Sequence, residues 1–196
     1  MTERVADHPI DRLFLDRWSP RAFTGEAISE PQLLTFLEAG RWAASSYNSQ
    51  PWRFVWARRD TPHWERFLSL LIEFNQGWAK NASALVFIAS KSTLLPPGKD
   101  KEIPSHSHSF DAGAAAACMA LQAHLSGWAV HGMTGVKFDE AFAALGLPEG
   151  YRLEAAFAVG RRGDKSLLPD YLQAREEPNE RISLSELAFE GGFPAS

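Results

Sequence analysis

A short apolar run near the middle of the chain constrains the fold more than any other feature of the sequence. Residues 84–89 read ALVFIA and include no polar side chain. A strand formed by such a run has no face suited to water, so both of its faces must be covered. We therefore predict a central strand in a sheet that lies between two layers of helices.

Helical and extended patterns alternate on both sides of this run. Ser29 and Gln32 form a capping box that predicts the start of a helix. Further helices are predicted to start near residues 61 and 109 and to cover 138–145, and strands are predicted over 52–57 and 153–159. Residues 91–107 lack periodicity and predict a long loop. Helices mixed with few strands indicate an α+β domain of three layers.

The charge and the cysteine content exclude several classes of function. The chain carries 20 Lys and Arg against 24 Asp and Glu, a net charge of −4, so it lacks the positive field with which proteins bind nucleic acid or anionic membranes. Cys118 is the only cysteine, which excludes an internal disulfide and a cysteine-rich zinc site. Residues 1–7 are polar and lack the apolar core of a signal peptide. We expect a cytoplasmic protein.

The familiar motifs of nucleotide-binding proteins and hydrolases are missing from the sequence. There is no Gly-x-Ser-x-Gly elbow, Walker loop, Gly-x-Gly-x-x-Gly turn or His-Glu-x-x-His helix. His106, His108 and Asp111 have the ligand types of a zinc or iron(II) site. They follow a loop rich in serine and proline, where solvated histidines are common, so we predict no metal site. Metal-dependent hydrolysis at His106 and His108 is the alternative.

The segment Arg17-Trp18-Ser19-Pro20-Arg21 places two guanidinium groups and a hydroxyl close together. A terminal phosphate carries a charge near −2, and arginine binds it through a rigid bidentate fork. The segment is therefore a candidate phosphate site. Two arginines on an exposed loop that contact only solvent would give the same sequence pattern, so this alternative stays open.

A second polar segment, residues 45–50 (SSYNSQ), joins the first predicted helix to the first predicted strand. Its serine, asparagine and glutamine side chains are neutral donors and acceptors that can bind the polar edge of a ring. A simple connecting loop has the same composition.

Together these two segments resemble the flavin-dependent nitroreductase family, and the resemblance extends over nearly the whole chain. The family's opening pattern, Arg-x-Ser-x-Arg-x-Phe, is matched by Arg17, Ser19, Arg21 and Phe23. Its Ser-Ser-x-Asn-x-Gln-Pro-Trp-x-Phe pattern is matched by Ser45, Ser46, Asn48, Gln50, Pro51, Trp52 and Phe54. Further similarities are Asp111-x-Gly113-x-Ala115, Gly132-Met133-Thr134-Gly135 and Arg181-x-x-Leu184-x-Glu186.

The resemblance implies an FMN cofactor that is reduced by NADH or NADPH. It implies that Arg17 and Arg181 bind the phosphate, with Trp18 and Ser19 beside them. Arg21 would lie near N1 and O2 of the flavin, where a cation stabilises the reduced ring. The other implied cofactor-binding residues are Asn75, Met133, Thr134 and Gly135 in the same chain and Ser45, Ser46, Asn48 and Gln50 in the neighbouring subunit. No catalytic side chain is implied, because the flavin N5 carries the chemistry.

The resemblance also implies the architecture and the assembly. It implies that residues 1–196 form a single α/β/α domain whose mixed, mainly antiparallel sheet is flanked by helices, within an intertwined homodimer that shares its flavin sites. Residues 163–196 would form a C-terminal arm that packs on the partner chain. The sequence itself favours pairing, because the Ala-rich residues 112–123 are apolar nearly all round and the arm is too poor in apolar residues for its own core.

The sequence departs from the family pattern at several positions, among them Ala44, Asn179, Gly127-Trp128-Ala129 and Gly160-Arg161-Arg162. Ala44 stands where a proline is common, and Asn179 stands where a second basic phosphate ligand is common, with Arg161 or Arg162 as candidates to supply the missing charge. We expect an FMN-dependent NAD(P)H oxidoreductase that reduces nitroaromatic, quinone or enone acceptors by a ping-pong hydride-transfer mechanism. The alternative is a flavin-binding or interaction protein of the same fold without NAD(P)H turnover.

Overall fold

A four-stranded sheet forms the middle layer of the protein, whose computed structural model describes residues 4–194. The strands within these residues are β1 (Trp52–Arg58), β2 (Ala84–Lys91), β3 (Thr93–Leu94), β4 (Ile103–Pro104), β5 (Ala129–Met133) and β6 (Tyr151–Gly160). The main sheet has the order β1-β2-β6-β5, and β3 pairs with β4 in a separate hairpin. Every pair of neighbouring strands is antiparallel.

The helices lie on both faces of this sheet. They are α1 (Arg12–Asp16), α2 (Glu30–Arg41), α3 (Trp64–Ser69), α4 (Glu73–Ala79), α5 (His108–Leu125), α6 (Phe138–Ala144) and α7 (Asp170–Gln173). On one face α2 and α5 pack together, and Phe36 and Met119 are buried in one cluster with Val86 of β2. On the other face α3, α4 and α6 share a cluster with Leu85 and Phe87. The predicted three-layer α+β fold is confirmed.

The apolar run forms the central strand β2, as predicted. It pairs with β1 on one side and with β6 on the other, and residues 84–90 are all buried. The start of α2 is also as predicted, because the Ser29 hydroxyl accepts a hydrogen bond from the Gln32 N–H at 3.3 Å. These two features depend on local sequence alone.

The helix predicted to start near residue 61 is observed as two shorter helices, α3 and α4. The chain between them is extended at Leu71, which forms a β-bridge with Val136. The next N–H, that of Ile72, donates to the Gly135 carbonyl at 3.1 Å. These bonds to a distant segment replace helical hydrogen bonds. The predicted loop over 91–107 likewise contains the short β3–β4 hairpin.

The C-terminal segment is divided between the core and the surface of its own chain. Leu168 and Leu172 are buried in the core cluster on the α3 side of the sheet. Glu176 is buried as well, whereas residues 177–194 are almost entirely exposed. The α7 region therefore packs on its own chain, and the packing of an arm on a partner chain stays a prediction.

One face of α5 is exposed in the single chain, although the sequence predicts burial on several sides. Ala115 and Met119 are buried on the inner face, but Phe110 is 82% and Leu125 is 67% exposed. Exposed apolar surface of this kind is typical of a subunit contact, so the homodimer stays a prediction. No helix within residues 4–194 is long and apolar enough to span a membrane.

Candidate functional site

A polar cavity of about 390 Å³ lies where the N-terminal segment meets β5 and the start of the arm. Its lining residues are Arg4, Arg17, Trp18, Ser19, Arg21, His131, Arg175, Glu177, Asn179 and Arg181. The structure thus brings together the cofactor-binding residues predicted in the first motif and in the arm, namely Arg17, Trp18, Ser19, Arg21 and Arg181. In the described lining, Glu177 is the one acidic side chain. We call this cavity the arginine cavity.

The backbone of the first motif is held at both ends. The Arg17 N–H closes α1 by donating to the Leu13 carbonyl at 3.1 Å. At the other end, the Glu176 carboxylate accepts the N–H groups of Arg21 at 2.6 Å and of Ala22 at 2.8 Å. Bonds from N–H groups to a carboxylate are stronger than neutral ones. The arginine side chains therefore extend from a fixed backbone.

The protein leaves the positive charges of the arginine cavity largely unbalanced. Burial lowers the pKa of Arg17, and the nearby Arg181 lowers it further. The pKa of Arg4 is lowered by burial and by the charges of Arg181 and Arg17. The lowered pKa values of Arg17 and Arg4 mean that their charged forms are less stable here than in water. A dianion in the cavity would offset this repulsion, so the cavity fits a phosphate group.

Arg21 supplies a donor that the chain leaves unused. Its buried Nε has no hydrogen-bond partner among residues 4–194, and its guanidinium lies 6.0 Å from the ring centroid of Trp78. A buried donor without a partner costs free energy unless a ligand accepts its hydrogen bond. This orphaned N–H is a second sign that the cavity binds an acceptor-rich group.

His131 is a cavity residue that the motifs do not predict. It lies on β5, where its Nδ1 donates to the Pro20 carbonyl at 3.0 Å and its ring centroid lies 4.7 Å from that of Trp78. Burial lowers the pKa of His131 to about 4, with a smaller contribution from Arg21. The imidazole is therefore neutral at pH 7. A lone histidine within a strand gives no sequence signal of this position.

A second predicted group lies at Gly135, after β5. The Asn75 side-chain amide donates to the Gly135 carbonyl at 3.1 Å, and this carbonyl also accepts the Ile72 N–H. A Cβ at position 135 would lie 2.3 Å from the Asn75 Nδ2, so glycine is required for this contact. Met133 is buried and Thr134 is exposed. The structure therefore joins Asn75 to the Met133–Gly135 turn.

The third predicted group, residues 45–50, lies outside the arginine cavity of its own chain. Asn48 and Gln50 have φ angles of 52° and 46°, which are uncommon for residues other than glycine. The loop is anchored by the Ser46 N–H, which donates to the Asp111 carboxylate at 3.2 Å, and by the Ser45 hydroxyl, which accepts the Gln50 N–H at 3.0 Å. Within one chain these residues and the arginine cavity are separate.

The additional positive charge of the cavity comes from arginines other than those expected. Of the described arginines, Arg161 and Arg162 do not line the cavity, and Arg161 instead stacks on Trp128 at 4.5 Å from the ring centroid. Arg4 and Arg175 line the cavity in their place. Neither belongs to a local pattern, so the sequence offers no signal for them.

The candidate metal ligands make separate contacts. His108 Nδ1 lies 2.7 Å from the Ser90 hydroxyl and 3.6 Å from the Glu154 carboxylate. Asp111 instead binds the 45–50 loop, and His106 is exposed. In the part of the chain that the structure describes, no group of three or more His, Cys, Asp or Glu side chains is arranged to hold a metal ion.

Known proteins are similar to this chain both in sequence and in structure. Residues 15–161 match a family model described as the nitroreductase family. A solved oxidoreductase containing FMN is similar over 98% of this chain and 97% of its own, with 48% identity and a TM-score of 0.94. A nitroreductase-like protein of Desulfovibrio desulfuricans, solved in complex with FMN, is 26% identical over 96% of this chain and 100% of its own, with a TM-score of 0.69.

A curated protein is similar over a shorter region. The major NAD(P)H-flavin oxidoreductase of Aliivibrio fischeri is 32% identical over 87 residues, which cover 43% of this chain and 40% of that protein.

Proposed function

Because this chain belongs to the nitroreductase family, we propose that it is an FMN-dependent oxidoreductase. NADH or NADPH supplies the electrons, and a nitroaromatic, quinone or enone molecule accepts them. The observation that carries the proposal is the arginine cavity, which is built from the family-like motif around Arg17. The FMN of the similar oxidoreductase and the activity named for the Aliivibrio fischeri relative support the same conclusion.

A phosphate monoester suits the arginine cavity better than a neutral or cationic ligand does. Five arginines and one glutamate line it, and a terminal phosphate carries a charge near −2. In our proposal Arg17 and Arg181 hold the phosphate and the Ser19 hydroxyl adds a neutral donor. Arg21, whose Nε has no hydrogen-bond partner within residues 4–194, lies near N1 and O2 of the flavin. FMN ends in such a phosphate, whereas FAD continues into a second nucleotide, for which the chain has no dinucleotide fingerprint.

The Asn75–Gly135 pair serves the reactive end of the cofactor. Bound FMN supplies hydride transfer at its N5 atom. Asn75 holds the Gly135 carbonyl, which fixes the peptide groups of Thr134 and Gly135 as donors and acceptors for the edge of a ring. The lack of a Cβ at Gly135 leaves the room that the Asn75 and Ile72 side chains need against this turn. We assign no side-chain acid or base, because the chain's own task here is orientation.

We propose further that two chains form a homodimer and share their sites. Ser45, Ser46, Asn48 and Gln50 then bind the cofactor of the partner. Three exposed features support pairing: the strained 45–50 loop, the outer face of α5 and the arm. Burial of apolar surface stabilises association by about 25 cal/mol per Å², and obligate interfaces bury ~2,000 Å² or more.

Co-expression of two defective chains tests the shared sites. An Arg17→Ala chain is combined with a chain that carries both Asn48→Ala and Gln50→Ala. If sites are shared, one site of the hybrid dimer carries both lesions and the other carries neither, so activity recovers. A hybrid of two inactive parents that shows no recovery contradicts shared sites.

The identity of the cofactor tests the proposed function. Heat should release FMN from the purified or flavin-reconstituted protein, with a single FMN per chain, and chromatography identifies the flavin. Recovery of FAD, or of no flavin after reconstitution, contradicts the proposal.

A further inference from the structure

Arg4 lies where residues 4–10 meet the C-terminal arm, and it lines the arginine cavity. Its Nε donates to the Asn179 carbonyl at 2.8 Å. Its Nη1 donates to the carbonyls of Leu15 at 3.0 Å and of Arg17 at 2.8 Å. One guanidinium group therefore joins three backbone positions at the rim of the cavity. Within residues 4–194 its Nη2 has no hydrogen-bond partner.

The charge of Arg4 has no acidic counterpart in the described part of the chain. No carboxylate of residues 4–194 lies within 4.0 Å of its guanidinium. Its charged neighbours are Arg181 and Arg17, which repel it. Arginines gathered in one place without acids are destabilised unless an anion joins them.

We propose that Arg4 is a further ligand of the phosphate that Arg17 and Arg181 bind, with its Nη2 as the donor. The inference rests on the proposed FMN function for the identity of the ligand. Its geometry is independent of that function, because three carbonyls occupy the three N–H groups of Nε and Nη1 and so fix the direction of Nη2. The phosphate then meets a donor that needs no further ordering.

Asp7 provides a matched control, because it also lies where the N-terminal segment contacts the arm. Its carboxylate accepts the Leu184 N–H at 2.8 Å, and it is not part of the lining of the arginine cavity. Asp7→Ala therefore removes a contact between the N-terminal segment and the arm, as Arg4→Ala does, but it removes no charge from the arginine cavity.

Three variants separate the phosphate contact of Arg4 from its structural role. Dissociation constants for FMN and for riboflavin, which lacks the phosphate, are measured by flavin fluorescence on the full-length flavin-free protein. We expect Arg4→Ala to weaken FMN binding ~10- to 100-fold, as loss of a hydrogen bond to a charged group does, and to leave riboflavin binding unchanged. Arg4→Lys keeps the positive charge but lacks the forked guanidinium group, so its FMN affinity should lie between that of the wild type and that of Arg4→Ala. Asp7→Ala should leave the ratio of the two constants unchanged.

Thermal unfolding with inorganic phosphate gives an independent measure. Phosphate should raise the melting temperature of the wild-type protein and of Asp7→Ala, and should raise that of Arg4→Ala less. Equal phosphate stabilisation of Arg4→Ala and the wild type overturns the inference, as does an equal loss of FMN and riboflavin affinity. A wild-type protein that binds phosphate but no FMN contradicts the proposed function instead, and the phosphate measurement still decides the role of Arg4.

Discussion

Glu176 is a buried carboxylate, 7% exposed, that holds the first motif from behind. Its Oε1 accepts the N–H groups of Arg21 and Ala22 at 2.6 and 2.8 Å. A hydrogen bond to a charged group contributes about 1.5–3 kcal/mol, and an orphaned buried donor costs a similar amount. With two such bonds lost, we expect Glu176→Ala to lower the free energy of unfolding by about 3 kcal/mol or more.

Two companion variants separate charge from position. Hydrogen bonds to a charged acceptor are roughly twice as strong as those to a neutral one. Glu176→Gln keeps an oxygen acceptor but removes its charge, so this variant should lose about half as much stability as Glu176→Ala. Glu177→Ala is the matched control, since the Glu177 side chain is half exposed and lies 3.9 Å from Lys165. Its loss should stay under ~0.5 kcal/mol. FMN should bind more tightly to Glu177→Ala, because the variant removes the carboxylate from the arginine cavity.

Urea unfolding of the flavin-free proteins, followed by tryptophan fluorescence, measures these differences. A shift of the midpoint at constant slope reports stability alone. If Glu176→Ala loses no more stability than Glu177→Ala, then Glu176 does not fix the first motif and our account of its rigid backbone is wrong.

Three other residues offer direct tests of the site. Arg181→Ala should weaken FMN binding ~10- to 100-fold and leave riboflavin binding unchanged, because it removes bonds to the phosphate alone; fluorescence titration with both flavins measures this. Gly135→Ala should weaken FMN binding, since the new Cβ would lie 2.3 Å from the Asn75 Nδ2, whereas Gly77→Ala, with nothing within 4 Å, should bind normally in the same titration. The pKa of His131 is about 4 in the folded state against 6.5 as its ordinary value. The unfolded state therefore binds more protons between these values, and the stabilisation present above pH 6.5 is lost as the pH falls, by at most ~1.4 kcal/mol per unit. His131→Asn should lack this loss in urea unfolding at a series of pH values, and an equal slope in both proteins would refute the assignment.

The features that the sequence predicts are those set by neighbouring residues. The ALVFIA run becomes the central strand because its lack of polar side chains acts locally, and Ser29 caps α2 through a bond to a residue three positions away. The first motif also enters the arginine cavity as a unit, since Arg17 and Arg21 lie on one short backbone segment.

The features that the sequence misses depend on distant partners. The break between α3 and α4 follows from the bridge between Leu71 and Val136, which no helical pattern anticipates. Arg4 and His131 reach the arginine cavity from opposite parts of the chain, and neither stands in a motif. The burial of Leu168 and Leu172 has no sequence signal either, because they are as sparse in the sequence as the exposed apolar residues that follow them.

In the proposed function, the arginine cavity holds FMN and a nicotinamide reduces it. Anaerobic addition of NADH or NADPH to the FMN-loaded protein tests this directly. Absorbance at about 450 nm, typical of an oxidised flavin, should fall on addition of one of the two nucleotides and return when a quinone or nitroaromatic is added. A protein that binds FMN but keeps its absorbance with both nucleotides contradicts the account, because it binds flavin without turnover.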